Sequence, residues 1–197
     1  MNHLLQPSPD GPFLRPLPPI WLDNVGSTND AARALAAEGA ASGTVVAARR
    51  QTAGRGRLDH RWESAEGGLY ASVVLRRGIR SAPLLAAASG EWVARALASL
   101  GLARLSAVAP NDLFAGGKKI AGVLVERVFA AGRPAFAVVG IGVNVAQASF
   151  PEGLEATTLA REGVAVSREE TLEAVLREMA KGDLYRAAAA WERRCAT

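Results

Sequence analysis

Cysteine, lysine and histidine are all scarce in this chain, and each scarcity removes a class of chemistry. The one cysteine, Cys195, lies two residues from the end, so neither an internal disulfide framework nor a cysteine-based metal site can form within the chain. A reducing, cytoplasmic setting is therefore expected. His3 and His60 stand far apart in the sequence and do not supply the paired ligands of a zinc site, so no metal site is expected. No stretch approaches the ~18 consecutive apolar residues of a membrane span. Residues 1–20 hold six of the ten prolines and lack the apolar run of a signal peptide. No membrane association is expected. A phosphate-binding G-x-x-x-x-G-K-[ST] loop is also missing.

What is present is arginine. The net charge is +4 and the pI about 9.8, yet twenty of the twenty-three basic residues are arginine, dispersed except between 49 and 61. That distribution points to one anion site and away from a broad nucleic-acid face. With 197 residues and 49% hydrophobic composition, the chain is long enough for one domain with a substantial core.

The pattern along the chain gives an α/β (α+β) fold with a mixed, largely antiparallel sheet and helices packed on one face. Residues 1–19 read as a proline-rich arm and residues 20–197 as the folded domain. A short strand "IWLDNV" leads through "GSTND" into a helix, with Ser27 or Thr28 as N-cap, and "TVVAARRQ" and "LYASVVLR" read as strands. Leu85, Ala88, Trp92, Ala96 and Leu100 repeat at helical spacing over about 83–100. Two long apolar strands, 119–129 and 135–145, are joined by so short a turn that they must pair antiparallel. Ser167 and Glu170 form a capping box before another helix, and a last helix runs from Leu184 to Trp191. No third glycine completes a dinucleotide fingerprint in either "GRGRLD" or "GIGVNV".

Four stretches carry chemistry. In "QTAGRGRLDHRW" (51–62) the glycines let the backbone close around a ligand while Arg55 and Arg57 offer planar guanidinium forks suited to carboxylate or phosphate. Taken alone the loop fits equally a solvated, arginine-rich turn. "GSTND" places two hydroxyls and an amide at a helix start, where free backbone N–H groups converge. "PNDLFAGGKKIAGVLVE" ends a strand at Asn111 and Asp112, turns at Gly116 and Gly117, and brings Lys119 to the head of the next strand. "GIGVN" puts Asn144 in an apolar strand, where a buried amide must be hydrogen-bonded or meet a ligand. Trp62 and Asn144 also suit an ordinary core, and Asp112 a turn cap.

In this order, G-S-T-N, Q-x-x-G-R-G-R…W, P-N-D-L…K-x-x-G-x-L-x-E and G-I-G-x-N, the chain resembles the catalytic domain of biotin protein ligases from about Trp21 to Trp191. The resemblance implies a fold like that of class II aminoacyl-tRNA synthetases. It also implies an enzyme that joins biotin to ATP, releases diphosphate, and passes the biotinyl group to a lysine of a biotin carboxyl carrier protein. Magnesium would enter with ATP. On this reading Ser27, Thr28, Asn29, Gln51, Arg55, Gly56, Arg57, Lys119 and Gly122 surround biotin. Arg55, His60, Trp62, Asn111 and Asn144 hold ATP or the adenylate. Lys119, Arg55, Arg57 and Asp112 are the catalytic group, with Lys119 stabilising developing charge and Asp112 orienting or deprotonating the acceptor lysine.

The match departs from the family pattern at Asp59 and His60, where glycine and arginine are usual, and at Val108 and Ala109, which replace Lys-Trp. A weak or inactive homologue that retains biotin or its adenylate, and a lipoate-ligase relative, are the alternatives. Neither the helix-turn-helix nor the C-terminal β-barrel of some relatives is matched, so no DNA partner is expected; a homodimer is left open.

Overall fold

The computed structural model describes residues 14–58 and 60–196. Most of the expected proline-rich arm, His3 and the Asp59 departure therefore lie outside the described residues. Leu14 is buried in the main core, and the Leu17 N–H donates to the Gly43 carbonyl at 2.8 Å, so residues 14–19 pack on the domain.

Strand β1 (Ile20–Val25), helix α1 (Thr28–Ala37) and strand β2 (Val45–Gln51) form the first unit, with β1 and β2 parallel and the helix as crossover. Every other strand pair is antiparallel. β3 (Leu69–Leu75) pairs with β2, and α2 (Ala82–Ser99) precedes β4 (Ser106–Val108), β5 (Asp112–Ala115), β6 (Lys118–Ala130) and β7 (Arg133–Val143). Helices α3 (Arg168–Lys181) and α4 (Leu184–Cys195) end the chain. The seven strands lie in the order β1-β2-β3-β7-β6-β5-β4, a mixed sheet with one parallel pair. None of the helices is long and apolar enough to cross a membrane, among the described residues.

Hairpins account for the antiparallel half. Gly116 and Gly117 both have positive φ, 55° and 79°, and connect Ala115 to its partner Lys118, the backbone that a two-residue turn between right-twisted strands requires. The structure moves one expected boundary. Asn111 lies in the turn after β4 and Asp112 opens β5, whereas the sequence reading ended a strand there; a three-residue β4 is too short to show alternation.

The helices do not all share one face. α2, α3 and α4 contribute Trp92, Leu97, Val175, Met179 and Trp191 to the main core against Ala71, Val73, Val139 and Ile141. α1 lies on the opposite face, where Ala32 and Ala36 pack on Val46, Val74, Phe136 and Val138. β3 signals this arrangement, since all seven of its residues are buried and a strand covered on both faces loses its polar alternation.

Candidate active site

The face that carries α1 changes character along β7. Phe136 and Val138 are core, but the next two residues on that face are Gly140 and Gly142. Register places Gly142 between Tyr70 of β3 and Gly122 of β6, and Gly140 between Ser72 and Leu124. Three neighbouring positions thus lack side chains and expose the sheet backbone, the usual meaning of glycine inside a strand. Added Cβ atoms would collide. One at Gly140 would meet Asn29 Oδ1 at 2.4 Å, and one at Gly142 would meet Trp62 Cε2 at 2.5 Å. Above this floor is a cavity of about 250 Å³.

Most of the sequence-predicted residues line it. Ser27, Thr28, Asn29, Gln51, Arg55, Gly56, Arg57, His60, Trp62, Asn111, Asp112, Lys119 and Gly122 all contribute to the wall. Asn144 does not. Its amide donates to the Lys119 carbonyl at 3.3 Å and accepts from Gln147 Nε2 at 2.9 Å. It therefore supports the backbone of the lysine from outside the cavity.

At the α1 end the wall is neutral and polar. Ser27 is the N-cap residue, yet its side chain makes no capping hydrogen bond, and it is buried. The Thr28 N–H and hydroxyl both donate to Gln51 Oε1, at 2.8 and 3.0 Å, and Gln51 Nε2 donates to Ser64 Oγ at 2.9 Å. Ser72 Oγ lies 2.6 Å from Asn29 Oδ1 and 2.8 Å from Thr28 Oγ1. These bonds lock the rotamers of Thr28, Asn29 and Gln51 before any ligand enters.

Toward β5 the wall is charged. Lys119 Nζ is 2.8 Å from Asp112 Oδ2 and 5.4 Å from the Trp62 ring centroid, close enough for cation–π attraction. The lysine backbone is clamped by the 155–157 segment, with Lys119 N–H donating to Glu155 O and Thr157 N–H to Lys119 O, each at 3.0 Å. The two ends are separated along the strands. The Ser72–Gly140–Leu124 row lies two residues, roughly 7 Å, from the Tyr70–Gly142–Gly122 row, and Lys119 lies three residues further along β6 from Gly122.

The arginine loop forms a small hairpin over the cavity. Arg55 and Arg61 make a bridge pair, Gly56 N–H donates to His60 O at 2.6 Å, and Trp62 N–H to Gly54 O at 3.0 Å. The Arg55 guanidinium binds Asp30 in a fork at 2.6 and 2.9 Å and reaches Glu126 at 3.3 and 3.4 Å. The hydrogen bonds from Arg55 hold the Asp30 carboxyl below its ordinary range, and Asp30 raises Arg55 in turn. Neither carboxylate lines the cavity. Of the other cavity-lining cations, Lys119 is paired with Asp112 and Arg61 with Glu63 at 3.2 Å, and Arg57 makes no ion pair among the described residues.

Sequence reasoning passed over Gly140, Gly142, Ser64, Ser72, Asp30 and Glu126. The alternate glycines of "GIG" at strand period were the available signal for the floor. Ser64 and Ser72 carried none, because their partners are distant in the chain. Among the described residues no group of three His, Cys, Asp or Glu side chains is placed to hold a metal ion.

Comparisons with known proteins give the chain a family. Residues 21–144 match the biotin/lipoate A/B protein ligase family. The chain is 36% identical over 149 residues to the bifunctional ligase/repressor BirA of Bacillus spizizenii, covering 72% of this chain and 46% of that protein. It is 37% identical over 170 residues to the biotin–[acetyl-CoA-carboxylase] ligase of Mycobacterium tuberculosis, covering 78% and 59% respectively. The chain thus spans about half the length of the curated relatives it matches. Among solved structures, the biotin protein ligase of Aquifex aeolicus in complex with biotin and ATP superposes with a TM-score of 0.71 at 33% identity, covering 89% of this chain and 72% of that one. The Leishmania major biotin protein ligase with biotinyl-5-AMP gives 0.76 at 25% identity, covering 91% and 82%. The chain belongs to the biotin/lipoate A/B protein ligase family.

Proposed function

We propose that this chain activates biotin with ATP and transfers the biotinyl group to a lysine of a biotin carboxyl carrier domain. The observation that carries the reading is the cavity's division into a neutral, hydrogen-bonding end and a cationic end across a bare glycine floor. Biotin has the same division. Its ureido ring needs neutral donors and acceptors, which Ser27, Thr28 and Gln51 supply, and its apolar valeryl tail can lie on the glycine backbone and Leu124. Its carboxylate then points toward Lys119 and Arg57. Lipoate, with a dithiolane in place of the ureido group, would leave the buried Ser27 hydroxyl, which makes no capping hydrogen bond, without a polar partner, the kind of mismatch that discriminates strongly.

In the first step the biotin carboxylate attacks the α-phosphorus of ATP and diphosphate leaves. The two anions repel, and Lys119 is placed to neutralise charge that builds on the α-phosphate oxygens in the transition state. To do so it exchanges Asp112 for the substrate, which frees the carboxylate. Asp112 then receives the acceptor lysine, orienting its amine and taking a proton as it attacks the acyl carbon and AMP departs. Trp62, Asn111, Arg57 and His60 contribute the nucleotide side of the wall. Asp112 is the one carboxylate that lines the cavity among the described residues, so magnesium would be held mainly by the phosphates.

The test is exchange of labelled diphosphate into ATP, with mass spectrometry of a carrier domain incubated alongside. Biotin-dependent exchange and a carrier mass gain of one biotinyl group are expected. Exchange with lipoate alone would move the reading to lipoate ligation. Biotin binding without exchange would leave a biotin-binding homologue.

A further inference from the structure

We propose that Asp30 and Glu126 are positioning residues that act through Arg55 to hold the arginine loop over the cavity, so that Arg55 works as a strut and not as a cation for the substrate. The inference deepens the function proposed above and rests on it only for its kinetic arm.

The geometry is that of a brace between three elements. Arg55 leaves the loop hairpin and makes its forked pair with Asp30 in the first turn of α1, while its Nη2 also reaches Glu126 on β6. Glu126 accepts a second bond from Asn29 Nδ2 at 2.7 Å, and Asn29 Oδ1 in turn faces Ser72 of β3. One chain of hydrogen bonds thus runs from β3 through α1 and β6 to the loop. A forked guanidinium–carboxylate pair fixes orientation as well as distance, and Arg55 sits at the loop's own bridge pair with Arg61. Fixing Arg55 therefore fixes the hairpin that presents Arg57, His60 and Trp62.

The charge balance disfavours the simpler role. Two carboxylates surround one guanidinium, with Arg33 also on Asp30 at 2.6 Å. A phosphate approaching Nη1 or Nη2 of Arg55 would compete with the carboxylates that these atoms already bind. Arg57 has no such partners among the described residues, which suits it to meet the anion.

A double-mutant cycle tests the brace in the ligand-free protein, where no activity is needed. Hydrogen exchange at the Gly56 and Trp62 amides should accelerate about tenfold in Asp30→Asn, a partly exposed pair being worth less than a buried one. Arg55→Gln should give the same acceleration, and the double variant should be no faster than either single variant. Arg55→Lys keeps the charge and loses the fork, so it should fail to restore protection. Glu126→Gln should move in the same direction by less. In the exchange reaction Asp30→Asn should raise the KM for biotin several-fold at nearly constant kcat, because a displaced wall weakens ground state and transition state alike. Wild-type amide protection in Asp30→Asn, or full rescue by Arg55→Lys, would overturn the proposal. Loss of exchange activity in the wild type with the amide pattern intact would instead remove the reading of function and leave the brace standing.

Discussion

Among the tryptophans that lie against glycines, Trp191 and Trp62 do opposite work. Trp191 of α4 covers Gly90 of α2, with ring atoms 2.8 and 2.9 Å from where a Cβ would stand, and it is 2% exposed within the main core. Trp62 covers Gly142 just as closely, but it is half-buried and hangs from a loop hairpin. The first contact joins two helices that the rest of the core holds in place, so the ring cannot leave without opening a cavity. The second is a lid on the bare part of the sheet, beside Lys119 and the polar end of α1. Close packing on glycine is therefore not a signature of either stability or function. What decides is whether the covering ring belongs to the core or to an element tethered by a few polar bonds.

The sharpest break in this comparison comes from removing the core ring. Trp191→Ala should destabilise the fold by about 3–5 kcal/mol, the range for large aromatic truncations, while the surviving folded fraction binds biotin with unchanged affinity; chemical denaturation with parallel calorimetry checks both. Lys119→Ala should do the converse. Diphosphate exchange should fall about 100- to 1000-fold, the cost of removing one preorganised electrostatic group, with the denaturation midpoint unchanged. Ser27→Ala should weaken biotin binding by about five- to tenfold, roughly one hydrogen bond, without touching kcat. The smallest effect lies in acid. Asp30 is held below its ordinary pKa by the hydrogen bonds from Arg55. The stability from that pair is thus present above the ordinary value of 3.8 and is lost as pH falls through the lower folded value. Melting curves of Asp30→Asn should show a shallower loss than wild type in that window, and parallel curves would detach the pair from stability.

The sheet and its helices were legible because hydrophobic period survives in a single sequence. β6 and β7 read as long apolar runs around a short turn, and α2 shows its buried stripe at three- and four-residue spacing. The placement of α1 on the far face was not legible, since an amphipathic helix does not say which side of a sheet it covers. The wall of the site was legible through residue types that a folded core disfavours, such as Lys119, Gln51 and the clustered arginines. The ion pairs of Arg55 were not legible, because Asp30 and Glu126 are 25 and 71 residues distant and carry no pattern linking them to it. The hydrogen bond from Asn144 to the Lys119 carbonyl was hidden for the same reason, since it joins two strands.

The account rests on the glycine floor being the place where biotin lies, and a calorimetric titration of biotin into wild type and Gly142→Val tests it directly. The new side chain would point into the space now taken by Trp62 and claimed for the ligand, on a face where the loop can yield and the core is untouched. The prediction is saturable biotin binding to the wild type, loss of at least a hundredfold in affinity in the variant (about 2.7 kcal/mol), and similar melting temperatures for both. Equal affinity in the two folded proteins would place biotin elsewhere and contradict the account.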